Sequence, residues 1–346
     1  MTPEAQRPPS IRDVAGRAGV AISSASAALN DKPGVSDETR ARILSVAKDL
    51  GYVPSWRGRS LSAKRAFTVG LVVERDPDVM GDDPFFGAFV GGIEESLGPR
   101  GYALAVRVSR DARAAATGYR ELAGNRRVDG VFLNELLVDD PRPESMLRWG
   151  MPAVGINPGP GEFVFPTVRQ DGTKAIVEAL RWLARIGHRT IAHVAGPLRY
   201  VHAVERLEAF RSVLLDLGLD PSLVTEGDFT YQGGYEAADR LLAVSPRPTA
   251  VFCANDLTAV GVMNRALDLG MKVPADLSVI GYDGIAMGGY TRPTLTTIKT
   301  SPRALGRQSA RLLLDLIEGS LPMDAQASVP EARLVVRSSA GPASTI

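Results

Sequence analysis

The chain has 346 residues, with 40 Lys+Arg against 39 Asp+Glu and a single Cys. That length suits two or three compact units, and 45% hydrophobic with 23% charged residues excludes disordered, collagen-like and coiled-coil classes. One cysteine excludes an intrachain disulfide and points to a reducing, cytoplasmic compartment. No run approaches 18 consecutive apolar residues, and the opening MTPEAQRPPS lacks an apolar signal core, so no membrane partner is expected. Taken whole, the net charge of +1 also speaks against a nucleic-acid partner. Its distribution reverses that. Residues 1–66 hold eleven basic and six acidic side chains, a net of +5, which leaves −4 on the remainder. A small basic module on a mildly acidic body suits an arm that meets a polyanion.

In chain order, Ile11, Val14, Ala15 and Ala18 fall on one face of a short helix, which Gly19 stops. A second helix reads SSASAALN over 23–30. Ala25, Ala28 and Leu29 are its apolar face, and Ser23, Ser24 and Ala27 lie opposite. After a turn at 31–34, Ser36 is placed to cap a third helix, with Asp37 and Glu38 in its first turn and Ile43, Ala47 and Leu50 inward. Gly51 ends it. Three short helices with a Gly-containing turn between the first two match helix-turn-helix geometry, the alternative being a small protein-interaction bundle.

From Thr68 onward, β-branched runs at 69–73, 102–108, 128–133, 152–156, 190–195, 249–254 and 277–281 alternate with helical patterns near 86–98, 112–124, 173–187, 201–217, 233–244, 256–269 and 303–319. Such alternation predicts βαβ units and parallel sheets covered by helices. About 275 residues exceed one doubly wound sheet, so two lobes are expected. Ligands of such sheets sit at the carboxyl ends of the strands. There is no phosphate-loop, HExxH or CxxC spacing, and the three His fall on different predicted elements. Neither an enzyme nor a metal or cofactor site is expected. Cys253 reads as a small core hydrophobe, His188 as a structural residue whose charge would complement a helix C-terminus, and Asp82-Asp83 as a solvated turn.

The runs IRDVAGRAGV (11–20), SSAS (23–26), LN (29–30), GVS (34–36), TR (39–40), LGYVP (50–54) and RSL (59–61) resemble the headpiece of the LacI/GalR family of bacterial transcription regulators. The fragments PFF (84–86), VDG (128–130), GHR (187–189), ERL (205–207), AND (254–256), IGYD (280–283) and PTLTT (293–297) extend the resemblance over nearly the whole chain. It implies an all-α helix-turn-helix headpiece over 1–52, ordered from about residue 10, and a hinge over 53–66. It also implies an α/β periplasmic-binding-protein-like effector domain of two doubly wound lobes over 67–340, one from about 67–166 and 297–325, the other from about 167–296 and 326–340. By the same resemblance the partners are double-stranded operator DNA, a second copy of the chain and a small effector, a sugar or derivative. The tail 338–346 carries no heptads, so a tetramerising coiled coil is not expected.

The resemblance carries DNA contact onto Ile22, Ser23, Ser24, Ser26, Ala27, Asn30, Thr39, Arg57 and Leu61, with Leu61 as the hinge leucine that wedges a base step. Two departures stand out. Ala21 replaces the usual capping Ser, and no residue of the second helix is a bidentate guanine reader. Gly58 lies inside the hinge helix and weakens it. Effector contact carries onto Phe86, Asp171, His202, Arg206, Phe229, Asn255 and Asp283. Arg, Asn and Asp offer fixed donor and acceptor forks for vicinal hydroxyls, and an aromatic face packs the C–H side of a sugar ring. Helix N-capping is the rival role for Asn255, core packing for Phe86 and Phe229, and a surface loop for Asp171. Two other functions stay open: a solute-binding protein for transport, which residues 11–61 oppose, and a regulator that has lost ligand response.

Overall fold

The computed structural model describes residues 7–53, 65–75, 81, 83–124 and 126–344. It divides into two units, residues 1–66 and 67–346. In the first, α1 (Ile11–Ala18), α2 (Ile22–Leu29) and α3 (Asp37–Asp49) enclose Val14, Ala15, Ala18, Ala25, Ala28, Ile43 and Ala47. Local chemistry sets the helix ends. The Ser10 amide and hydroxyl each donate to the Asp13 carboxylate at 2.7 Å, and Gly19 closes α1 at φ 66. Ser36 caps α3 by accepting from the Thr39 amide. Ala21 leaves α2 without a side-chain cap, as its sequence implied. Arg40 anchors the following turn. Its guanidinium donates to the Ala28 carbonyl at the end of α2, to Asp31 and to the Lys32 carbonyl.

The second unit holds two six-stranded sheets. Its elements are β1 (Thr68–Glu74), α4 (Pro84–Leu97), β2 (Ala103–Ser109), α5 (Ala112–Gly124), β3 (Gly130–Leu133), α6 (Arg142–Trp149), β4 (Ala153–Ile156), β5 (Thr167–Arg169), α7 (Thr173–Arg185) and β6 (Ile191–Ala195). There follow α8 (Val201–Asp216), β7 (Val224–Glu226), α9 (Tyr231–Leu242), β8 (Ala250–Cys253), α10 (Asp256–Asp268), β9 (Ser278–Asp283), β10 (Thr296–Lys299), α11 (Pro302–Glu318), β11 (Gln326–Ser328) and β12 (Arg333–Val335). The first sheet runs β11-β5-β4-β3-β1-β2, all parallel. The second runs β12-β10-β9-β8-β6-β7, parallel except for β12.

Both faces of each sheet are covered. Phe89, Ile93, Leu305 and Leu313 of α4 and α11 pack on one face of the first sheet, and Tyr119, Leu122 and Met146 on the other. Phe210 and Leu214 of α8 and Leu241 and Met263 of α9 and α10 play those parts in the second sheet. Each such side chain contributes roughly 1.5–3 kcal/mol through burial. Strands β3, β4, β6 and β8 are buried along their whole length, which is why they read as unbroken apolar runs. Helices α4 and α11 cross closely enough that a Cβ on Gly306 would stand 2.1 Å from the Phe89 carbonyl oxygen.

The structure corrects the sequence expectation in two places. Strands β5, β7, β10, β11 and β12 and helix α6 were not foreseen; each of these strands is only three or four residues long and carries polar residues, so none reads as an apolar run like β3, β4 or β8. The crossings between lobes also fall three residues later than expected. β5 and β11 belong to the first sheet and β10 to the second, so the changes of sheet come after 169, 299 and 328 rather than after 166, 296 and 325.

Candidate ligand cleft and nucleic-acid interface

The carboxyl ends of β1, β3 and β4 in one lobe and β8 and β9 in the other open onto a shared cleft. The cleft gathers Phe86, His202, Arg206, Phe229, Asn255 and Asp283. It does not include Asp171. That residue follows β5, its carboxylate accepts from the Thr173 amide at 2.8 Å, and it lines a separate outer groove with Arg169, Glu205 and Glu208. An Asp two residues before a helix reaches its free amides more readily than a cleft.

Arg206, on α8, lies 3.8 Å from the centre of the Tyr282 ring and donates to the Ala254 carbonyl. Asp283 ends β9 with φ 107, and burial pushes its carboxyl well above the usual range against the pull of Arg206. The His202 ring stacks on Tyr200 and Phe229 at 5.5 and 5.4 Å. Burial, with Arg206 and Arg75 nearby, holds its pKa well below normal, so the ring is neutral and offers one donor and one acceptor. Phe86 is buried beside Phe85, edge to face at 5.6 Å. Asn255 lines the cleft, yet its amide is already engaged. Its oxygen accepts from the Thr258 amide at the start of α10, and its nitrogen donates to the Phe229 carbonyl at 2.8 Å. Its rival role, helix N-capping, is the one its bonds serve.

Sequence reasoning missed Arg75, Asp83, Asn134, Glu135, Asn157, Gln170 and Tyr282, which also line the cleft. Arg75 and Glu135 form a buried ion pair, and the Arg75 guanidinium lies over the Phe229 ring at 5.0 Å. Burial raises the Glu135 and Asp83 carboxyls. Asp83 is no solvated turn. It caps α4 by accepting from the Phe85 amide at 3.0 Å. A signal did exist: Arg75, Asn134 and Asn157 each stand at or just past the last residue of a strand, where ligands of such sheets bind. Of eight non-glycine residues with positive φ among the described residues, four (Glu135, Asn157, Phe229 and Asp283) line this cleft. Such backbone costs of order 1–3 kcal/mol apiece and clusters at functional sites.

At one edge of the cleft the two lobes are bonded directly. The Val138 amide donates to the Arg199 carbonyl and the Val201 amide to the Leu136 carbonyl, both at 2.9 Å, and Arg199 pairs with Glu74 at 3.6 Å. His188 is structural for a different reason than expected. It is buried between Thr249 and the Gly341 carbonyl, and burial lowers its pKa, so it is no cation at a helix end. Cys253 is buried in the second sheet's core. No group of His, Cys, Asp and Glu among the described residues is arranged to hold a metal, and no described helix is long and apolar enough to cross a membrane.

On the headpiece, Ile22 and Ser23 are exposed, and Ser24, Ser26, Ala27 and Asn30 are half-buried along α2. The Asn30 side chain turns back to donate to the Ser26 carbonyl at 2.8 Å, and the Thr39 hydroxyl accepts from Ser36 at 2.9 Å. Both are therefore engaged in holding helix ends. Arg57, Gly58 and Leu61 lie outside the described residues.

A family model described as bacterial regulatory proteins of the lacI family matches residues 10–55, and one for a periplasmic binding protein-like domain matches 180–340. The HTH-type transcriptional regulator CelR of Thermobifida fusca is 36% identical over 342 residues, covering 97% of this chain and 99% of its own. The HTH-type transcriptional repressor CytR of Escherichia coli is 33% identical over 312 residues, 89% of this chain and 90% of its own. A solved CelR–cellobiose complex matches with a TM-score of 0.74 at 34% identity, and the lac repressor dimer bound to operator and the anti-inducer ONPF with 0.82 at 27%. Each covers 96% of this chain and 99% of the other.

Proposed function

Because the chain belongs to the LacI family of bacterial regulatory proteins, we propose that this DNA-binding transcriptional regulator is a sugar-responsive repressor acting as a homodimer. One headpiece covers a half-site, so two copies related by a two-fold axis read a pseudo-palindrome. Ile22, Ser23, Ser24, Ser26 and Ala27 present a small-residue surface to the groove. With no bidentate guanine reader among them, specificity comes from thymine methyls, DNA shape and the hinge residues Arg57 and Leu61. Asn30 and Thr39 support helix ends and approach phosphate. In this account the chain performs no catalysis and works in the cytoplasm.

The observation that carries the effector reading is the cleft itself. Phe86 from the first lobe and Phe229 from the second line the same cleft as the polar forks of Arg206 and Asp283. That pairing suits the C–H face and the hydroxyl rim of a sugar. Cellobiose, present in the solved CelR complex, is the first candidate. A bound sugar closes the lobes and shifts how the first lobes hold the hinges, with a coupling of roughly 1–3 kcal/mol between sites. A thermal-shift screen of sugars, sugar phosphates, nucleosides and purines tests this. A sugar should raise the Tm, and Arg206→Ala should abolish the rise. A panel without a hit, or an unshifted response in the variant, contradicts the assignment.

A further inference from the structure

The strands of the first sheet all run the same way, so their starts lie at one end, and the chain enters that end at β1 from the hinge segment, residues 53–66. The turn from α5 into β3 is fastened to the point of entry. The Asp129 amide donates to the Thr68 carbonyl at 2.8 Å, and its carboxylate accepts from the Phe67 amide at 2.7 Å. The turn is itself fixed, because the Arg126 and Arg127 amides donate back to the Ala123 and Leu122 carbonyls of α5. Both arginines are exposed, and the side chain of neither makes a hydrogen bond or ion pair among the described residues. Arg127 helps to hold the Glu121 carboxyl below its usual range, but that carboxylate's hydrogen bond goes to Arg107. Arg100, in the turn into β2, is the contrast, paired with Asp315 at 2.7 Å and Glu318 at 3.7 Å. Residues 110–127 hold five arginines against Asp111 and Glu121, in a body whose net charge is −4. Arg113 and Arg120, seven residues apart, share an exposed face of α5. That helix runs from the end of β2 to the start of β3, so Arg113 stands about 10 Å farther from the hinge end than Arg120.

We propose that this turn is a second DNA-contacting surface, carried by the effector domain, in which Arg126 and Arg127, with Arg120 behind them, hold phosphates beside the stretch that the hinge reaches. It rests on DNA binding by the headpiece and is independent of the sugar reading. The chemistry fits, since a guanidinium is a planar fork that matches phosphate oxygens. The position selects DNA over an acidic protein. Any duplex held by the headpiece is tethered through the hinge to the root of this turn, whereas a free protein must be captured from solution. Phosphate contacts carry no sequence information, so the surface strengthens binding to operator and to other DNA alike. The rival role is local: a cation just past a helix C-terminus complements the negative pole of that helix. The two roles differ in what salt does to DNA binding.

The test titrates the full chain, with no sugar present, onto a duplex of its own upstream sequence and onto a scrambled duplex of the same length, across roughly 50–200 mM salt. In the double variant Arg126→Gln, Arg127→Gln, the slope of log K against log salt should become shallower by about 1 to 2, since each phosphate contact contributes about 0.9. Both duplexes should weaken by the same factor. Arg126→Lys with Arg127→Lys keeps the charge and should restore most of the slope. Arg113→Gln removes one such charge from the other end of α5 and should leave the slope unchanged. Because the side chains are exposed, every variant should keep the wild-type Tm. An unchanged slope in the Gln double variant overturns the proposal, and a lower Tm beside it would mark the arginines as helix-end residues. A slope reduced as much by Arg113→Gln also overturns it, because the effect would then be the general field of the lobe. So does a loss confined to the upstream duplex, which phosphate contacts cannot produce. A wild type that binds neither duplex fails the DNA reading itself and takes this surface with it.

Discussion

Asp256 opens α10 and is almost wholly buried, its carboxylate accepting from the Ile285 amide at 2.8 Å and the Thr297 hydroxyl at 2.6 Å. Burial outweighs those bonds and raises its pKa from 3.8 to about 7. The folded chain thus holds a proton there that the unfolded chain releases. The stability tied to that proton is present below about pH 4 and lost as pH rises through about 7. His193, buried and lowered to about 4, works in the opposite sense over part of the same window. The difference between wild type and Asp256→Asn isolates the carboxyl: across pH 4–7 the wild type should lose stability relative to the variant, followed by urea midpoints. A constant difference would mean that Asp256 is ionised throughout. At this scale the sequence was partly legible. Phe86, Arg206 and Asp283 were found because they stand in motifs, Phe229 because the family resemblance places an aromatic at its position, and Arg75, Asn134 and Glu135 were not found. A single residue past a strand has no periodicity, and its meaning depends on which other strand ends the topology brings beside it.

Among the elements, α2 shows the cost of a functional surface. Its eight residues, ISSASAAL, lack a side-chain N-cap and have no charge in either terminal turn. Its stability comes from Ala25 and Ala28 packed against α1 and α3 and from Arg40 holding the Ala28 carbonyl. Ala21→Ser should stabilise the headpiece by about 1 kcal/mol by supplying an acceptor for the first-turn amides, read as a higher midpoint for the headpiece transition in circular dichroism. No gain would mean that the α2 amides are already satisfied. The wholly buried strands β3, β4, β6 and β8 were legible because they sit in nearly continuous apolar runs. The short ones, β5, β7, β10, β11 and β12, exist through their neighbours' hydrogen bonds, and no local pattern marks them. They also fix where the chain changes sheet, which is why the expected crossings fell three residues early.

For the whole molecule, charge distribution mattered more than its total. The near balance of 40 basic and 39 acidic residues hides a headpiece segment of +5, and a basic segment that neutralises phosphates releases counterions and makes binding fall with salt. The effector domain contributes a cleft whose walls belong to two sheets, crossed by three chain segments and joined at its edge by the bonds between 136–138 and 199–201. Occupancy of that cleft and grip on DNA are two equilibria of one chain, and a repressor couples them. Titrating the full chain onto its own upstream DNA by fluorescence anisotropy, with and without cellobiose or the sugar found by thermal shift, measures that coupling. The account predicts specific binding that weakens steeply with salt and about five-fold or more on adding sugar at constant salt. A DNA affinity identical with and without a sugar that demonstrably binds the cleft would contradict it.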